Sequence, residues 1–341
     1  MKAASARAVG LLSAATLCWL SPGLSAAALP VSVLEGTLLD RPARLEVAGL
    51  EAEAAEAALR SALAEAEGAA LLAEPGGDAG SGLGRLNAAA GGAAQTVDAR
   101  LLDLLARTLD FCRWSDGAHG PLGGHLYLLW GLREPAASLP AASQLESATR
   151  SAACSGLQVD REHGLAKLAA GSRLDLWGFT AGWLADGALA SLRAAGAANA
   201  RVAVAGVQRA AGPGPDGRGW RVTLPVFPGL TQPLDELWLR DQALAVRQRQ
   251  DRPLRIAGEA FAPYIDQRSG RPVEGVVAVV AATETALDAE ALATALFVLG
   301  SRAGEMRLGV LRPAPSVTWV LGSANSVPLL SQYRWSALKR R

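Results

Sequence analysis

The run Val276 to Ala282, VVAVVAA, constrains the fold more than any other stretch of the chain. It is apolar without alternation, so it reads as a strand covered on both faces. Such a strand needs a sheet inside a sizeable core. The chain has the means, with 341 residues of which 50% are hydrophobic. A helix over Ala289 to Leu299 follows, with Asp288 as its expected N-cap, and Val317 to Leu321 reads as the last strand.

The preceding chain mixes strands and helices. Val31 to Val47 reads as two short strands around Asp40-Arg41-Pro42, and Leu50 to Leu72 has apolar residues at helical spacing. Gly76 to Gly84 is a glycine-rich loop running into SGLGRLN, Ser81 to Asn87. A helix is expected from the N-cap Asp98 to Trp114, then a second glycine-rich loop from Ser115 to Gly124. Glu134 to Pro140 is a linker and Ser143 to Ala153 a short helix. Leu157–Val159 and Leu165–Leu168 flank His163-Gly164 as a hairpin. Arg201–Ala205, Trp220–Leu224, Glu236–Leu239 and Ala243–Arg247 read as strands. The fold class expected is α/β (α+β), without internal repeats, in one large domain or two lobes sharing a cleft.

Between these halves lies Leu174 to Asp186, LDLWGFTAGWLAD, a strand end passing through a glycine turn into a helix that should run to about Ala195. Gly178 and Gly182 allow backbone to approach a ligand closely, and the free N–H groups of the helix start face whatever binds there.

The N-terminus reads as a secretory signal. Lys2 and Arg7 form the charged region, Val9 to Leu20 the apolar region, and Ser25-Ala26-Ala27 the small-residue cleavage site. Cys18 follows the bulky Leu17, which argues against a lipoprotein and for cleavage near Ala27 or Ala28. The division expected is residues 1–28 as signal peptide and 29–341 as the exported, periplasmic domain. No later apolar stretch is long enough to span a membrane. The net charge of +1 gives no electrostatic footprint for nucleic acid.

Cys112 and Cys154 would pair in an oxidising compartment if their backbones came close, but the reading adopted is two unpaired cysteines. No CxxC spacing or histidine cluster suggests zinc, and His119, His125 and His163 read as loop histidines. Ser115 and Ser172 lack partners for a hydrolase triad. Of the 9 tryptophans, Trp177, Trp183, Trp220 and Trp238 would either line a pocket for a planar ligand or pack in the core, the latter being the default. The polar run Arg247 to Arg255, RQRQDRPLR, reads as a solvated basic loop.

Several separated motifs occur in the order of one family. Glu35-Gly36-Thr37 stands at an MGT motif and SGLGRLN at SxLxxLN. Asp116-Gly117-Ala118 through Leu126, with Leu129-Trp130-Gly131, follows GAFDPTVGPLxxLWGF. Leu174 to Asp186 follows LDLGGIAKGYAVD, and Ala205-Gly206 follows a GG pair. PYIDQRSGRPV, ending at Val273, follows HIIDPRTGRPV, and Ala289 to Gly300 follows ADALATALFVLG. The chain therefore resembles the FAD:protein FMN transferases, the ApbE family, over nearly the whole expected mature length.

The resemblance implies a two-lobed domain that takes FAD and passes its FMN part to a threonine of a partner flavoprotein, an electron-transfer protein. It implies magnesium as well, a hard cation that bridges phosphate oxygens as the pyrophosphate breaks. Its metal positions fall on Glu290, on Thr294 one turn later, and on a carbonyl near Gly178. Its flavin-contacting positions fall on Asp175, Ala118, His119, Gly120, Ala181 and Ile265. Asp175 keeps the family residue. Elsewhere the pattern changes: Ala181 stands for the family's Lys and Trp177 for a Gly, Ala118-His119-Gly120 for AFD, and Val246-Arg247-Gln248 for TSG. Pro263 replaces a His, Val207 an acid, and Glu35 the Met of MGT. Glycines and packing residues are retained while ligand-gripping residues change. Two expectations follow, a divergent transferase holding metal on Glu290 and Thr294, or a non-catalytic exported relative that keeps the fold to bind a partner or another ligand.

Overall fold

The computed structural model describes residues 28–75, 80–136, 138–251, 253–322 and 327–338. The signal peptide expected over 1–28 therefore lies almost wholly outside the described residues, Cys18 included.

In chain order, the hairpin β1 (Val31–Leu38) and β2 (Arg41–Ala48) leads to α1 (Ala52–Leu72) and α2 (Gly82–Ala88). Then come β3 (Gln95–Thr96), α3 (Ala99–Trp114), α4 (Gly124–Leu129) and α5 (Ala142–Ser151). The hairpin β4 (Leu157–Asp160) and β5 (Leu165–Leu168) precedes α6 (Thr180–Ala194). The middle of the chain is β6 (Ala200–Val204), β7 (Val207–Ala211), β8 (Trp220–Thr223), β9 (Glu236–Leu239) and β10 (Ala243–Gln248). Short pairs follow, β11 (Leu254–Ile256) with β12 (Glu259–Phe261) and β13 (Ile265–Asp266) with β14 (Arg271–Pro272). The C-terminal part is β15 (Val276–Thr283), α7 (Ala286–Leu308), β16 (Ser316–Leu321), β17 (Leu329–Tyr333) and α8 (Trp335–Leu338).

An 8-stranded sheet, ordered β1-β2-β6-β7-β10-β15-β16-β17, is antiparallel at every pairing. The VVAVVAA run is β15, near the middle of that order, and both of its faces are covered. Val279 and Ala281 join the core beneath α1, α6 and α7, while Ala278, Val280 and Ala282 join a second core with Trp220, Leu237 and Trp335. Burial on both sides removes any need for a polar residue at alternate positions. A third apolar cluster, including Leu126, Tyr127, Trp130 and Ile265, forms around α4 and α5. No helix among the described residues is long and apolar enough to cross a membrane.

Several boundaries differ from the sequence reading. Gly82 to Gly84 belong to α2 rather than to a loop, because Ser81 Oγ caps it by accepting the Gly84 N–H at 2.8 Å. Helix α7 starts at Ala286, capped by Thr285 rather than Asp288. The helix breaks at Gly300, where φ is 69° and ψ 177°, as the sequence leads one to expect, and a second helical segment runs on to Leu308, buried in the main core. Strand β7 follows β6 after the Ala205-Gly206 turn, and β17 rather than β16 is the last strand.

Candidate functional site

The site is built where α6 meets α7. Gly178 holds a φ of +86°, which turns the chain after Trp177 into the start of α6. A Cβ on Gly182 would lie 2.3 Å from the Ala286 carbonyl oxygen, so only glycine lets α6 approach α7 this closely. Asp186, one turn on, locks the junction: its carboxylate accepts the Ala286 and Leu287 N–H groups at 2.9 Å each and pairs with Arg209 at 3.0 Å. It thus satisfies N–H groups left open at the start of α7.

Three of the sequence-predicted residues meet directly at this junction. A Cβ on Gly178 would stand 2.8 Å from His119 Nε2 and 2.9 Å from Thr294 Cγ2. Glu290, one turn before Thr294, is buried and accepts the Gly182 N–H at 2.6 Å through Oε2. The Thr294 hydroxyl donates to the Glu290 carbonyl at 2.8 Å. Ala181 is buried in the first turn of α6.

The other oxygen of Glu290 pairs with Arg247, which the sequence reading set at the end of a strand and at the start of a solvated run. Arg247 is buried in β10, its Nη1 donating to the Ala205 and Val246 carbonyls at 3.0 Å each and its Nη2 to Glu290 Oε1. The period-2 alternation of Ala243, Ala245 and Arg247 was the available signal, since it sets Arg247 on the face that packs against α7. Burial pushes the Glu290 carboxyl above its usual range, opposed by the Arg247 charge and the Gly182 N–H.

His119 lies in the loop after α3, as its reading as a loop histidine expects, but its side chain is buried. Its ring stacks on Phe179 at 4.6 Å, and Nε2 has no hydrogen-bond partner among the described residues. Burial, reinforced by Arg247, lowers its pKa to about 3, so the imidazole is neutral. His125 is partly buried elsewhere, and His163 is exposed beside Asp160 at 2.8 Å. No group of three or more potential His, Cys, Asp or Glu metal ligands occurs among the described residues.

The loop through Ala118, His119 and Gly120 is tied to the segment after β13. Gln267 N–H donates to the Ala118 carbonyl at 3.2 Å, and Gln267 Nε2 donates to the Gly120 carbonyl at 2.9 Å. Ile265 packs in the cluster around Tyr127 rather than in the core beneath Gly178 and Glu290. Gly120 also presses on Cys112, which forms a disulfide with Cys154 across a sequence separation of 42. The unpaired reading of these cysteines is thereby corrected: the tertiary fold brings their Cα atoms to 5.9 Å, a closeness that spacing alone does not reveal.

Asp175 and Trp177 line the approach to the turn. Asp175 accepts the Trp177 N–H at 3.0 Å and pairs with Arg133, another residue the sequence reading missed. The indole of Trp177 lies 5.6 Å from the Tyr127 ring and 5.3 Å from Tyr264, which stacks on Phe297 at 3.8 Å. Asn87, from SGLGRLN, anchors the strand end by exchanging hydrogen bonds with Leu174, at 2.7 and 3.0 Å.

Comparison with known proteins bears on the whole arrangement. The chain is 31% identical over 259 residues to an FAD:protein FMN transferase of Treponema pallidum, covering 70% of this chain and 69% of that one. It is 28% identical over 320 residues to an FAD:protein FMN transferase of Salmonella typhimurium, covering 89% of each. In fold it is similar to the flavinyl transferase ApbE of Pseudomonas stutzeri, with a TM-score of 0.80, 21% identity, and 92% and 98% of the two chains covered. The ApbE protein of Thermotoga maritima superposes with a TM-score of 0.81 at 21% identity, covering 92% of this chain and 100% of that one. The family model described as the ApbE family matches residues 44–312, a span that contains every site residue named above, and the chain belongs to that family.

Proposed function

We propose that this protein is an exported ApbE-family member whose cleft is closed by its own side chains, and that it binds a partner or ligand without transferring FMN. The observation that carries this reading is the aromatic packing at the glycine turn. Trp177 sits against Tyr127 and Tyr264, and Tyr264 is stacked on Phe297, where the resemblance brings backbone to flavin. A planar ring entering there would have to displace the half-buried Trp177 and the buried Tyr264 packed against it. Ala181 supplies no charge at the position of the family's lysine, and the Asp175 carboxylate is engaged by Arg133 and by the Trp177 N–H. The Cys112–Cys154 disulfide supports export, since such bonds persist in oxidising compartments.

The test combines the purified protein with FAD, magnesium chloride and an acceptor flavoprotein bearing the family's threonine. No covalently bound flavin fluorescence is expected on the acceptor after denaturing electrophoresis. Labelled acceptor would overturn the proposal.

A second reading is a divergent FAD:protein FMN transferase, taking FAD as substrate and using magnesium to modify a flavinylated electron-transfer partner. It is favoured by the relatives from Treponema pallidum and Salmonella typhimurium, both named for that activity, and by the retained Asp175. The same experiment decides between the two readings.

A further inference from the structure

We propose that the Arg247 guanidinium takes the place of the divalent cation that the family resemblance assigns to Glu290, Thr294 and the Gly178 turn, so that this site holds no metal. The inference deepens the reading of the closed cleft given above and rests on it for where the cation would lie.

The donor set does not fit a hard cation. Magnesium requires about six oxygen ligands in near-octahedral array, with lone pairs directed at the ion. Both Glu290 oxygens instead face N–H groups, Oε1 that of Arg247 and Oε2 that of Gly182 at 2.6 Å. The Thr294 hydroxyl is turned back on its own helix, donating to the Glu290 carbonyl at 2.8 Å, and its methyl carbon is the atom that faces Gly178.

Arg247 is fixed rather than adventitious. Its side chain is 8% exposed and that of Glu290 is 4% exposed. The same guanidinium donates to the carbonyls of Ala205 and Val246, which fixes it against the β6–β7 turn and its own strand. A planar, permanently charged fork suits this role better than a lysine would, because it reaches the carboxylate and both carbonyls from one position. A divalent ion beside it would meet a like charge in a dry site.

The experiment is a manganese titration followed by electron paramagnetic resonance, with melting curves in magnesium chloride and in EDTA. The wild-type protein is expected to leave manganese free and to melt at the same temperature in both media. Arg247→Ala exposes the Glu290 carboxylate to any incoming cation. It should take up about one manganese per chain, with affinity raised about tenfold or more, and lose that uptake when Glu290→Gln is added. Arg247→Met, which keeps the apolar stem, serves if the alanine variant fails to fold. Uptake by the wild type that Glu290→Gln removes would overturn the inference, as would a folded Arg247 variant that takes up none. If neither variant folds, the wild-type titration decides alone: uptake that depends on Glu290 refutes the inference, and no uptake upholds it. The two proposals fail separately. A wild type that binds manganese through Glu290 but labels no acceptor refutes only this inference. One that labels an acceptor without binding manganese refutes only the closed-cleft reading.

Discussion

Arg133 grips the buried carboxylate of Asp175 with two nitrogens, Nε donating to Oδ2 at 2.6 Å and Nη2 to Oδ1, while Oδ1 also accepts the Trp177 N–H at 3.0 Å. Asp175, the acidic flavin-contacting position that keeps its family residue, is thus engaged from within the chain. It ties the entry of the glycine turn to the segment after α4.

The two members of this pair differ in exposure, and so should the effects of losing each. Arg133→Met leaves a carboxylate that is 2% exposed with one backbone donor, which should cost about 3 kcal/mol or more. Asp175→Asn leaves a guanidinium that is 31% exposed and can rehydrate, so about 1–2 kcal/mol is expected. Urea unfolding followed by tryptophan emission measures both, and equal costs would show that the pair is not controlled by burial of the acid.

Acid stability should carry the signature of His119. Its folded pKa is lowered to about 3 by burial, with Arg247 adding to the effect, against 6.5 in the unfolded chain. Between those values the unfolded state holds a proton that the folded state lacks. The stabilisation is therefore complete above 6.5 and is lost as pH falls, at up to about 1.4 kcal/mol per pH unit. Glu290 and Asp186, raised mainly by burial, act in the opposite sense, since their folded forms keep protons that the unfolded chain releases as pH rises. His119→Phe, which keeps a ring on Phe179, isolates the histidine. The slope of unfolding free energy between pH 4 and 6 should fall by about one proton.

The glycines of α6 predict opposite signs within one helix. Gly182→Ala would drive a Cβ to 2.3 Å from the Ala286 carbonyl, forcing the α6 and α7 backbones apart at a cost of about 3 kcal/mol or more. A Cβ on Gly187 would meet nothing within 4 Å among the described residues, so Gly187→Ala should stabilise by about 0.5–1 kcal/mol through helix propensity. Thermal melts of the two variants provide the check. A neutral Gly182→Ala would mean that the helices are not locked at this crossing.

Much of this was legible locally. Asp98 caps α3 where a capping residue before an apolar-periodic stretch predicts it, and the β4–β5 hairpin follows from its turn residues. The glycine turn was legible because Gly178 and Gly182 carry their own geometric reason. The break at Gly300 was legible too, but not the helical segment that runs on from it to the buried Leu308. The Arg247–Glu290 pair was hidden for a different reason. Its members are 43 residues apart on different elements, and a run such as RQRQDRPLR looks solvated until strand alternation is applied to its first residue.

The disulfide should contribute to stability as a cross-link. Cys112 and Cys154 close a loop with a sequence separation of 42, for which the loop-entropy model gives about 4 kcal/mol. Unfolding in urea with and without a reductant, repeated on the paired Cys112→Ala and Cys154→Ala variant, should show the reduced protein and the variant equally destabilised. A variant as stable as the oxidised protein would mean that the bridge does not form in solution.

Restoring the family lysine by itself should not restore flavin binding. Ala181 is 3% exposed in the first turn of α6, beside Gly182, whose N–H is held by Glu290 at 2.6 Å. In Ala181→Lys an ammonium would enter a site where Glu290 already pairs with Arg247. The lysine would have to extend away from Glu290, while Trp177, Tyr264 and Phe297 still fill the face of the turn. Titration of the variant with FAD and magnesium should leave flavin fluorescence unquenched, and burial of the unpaired charge should lower stability by about 2 kcal/mol or more. Combining Ala181→Lys with Trp177→Gly and Arg247→Ala removes the ring and the competing charge together, and flavin quenching should appear first in that triple variant. Tight FAD binding by Ala181→Lys alone would show that the aromatic packing opens readily and that the missing lysine is the whole defect.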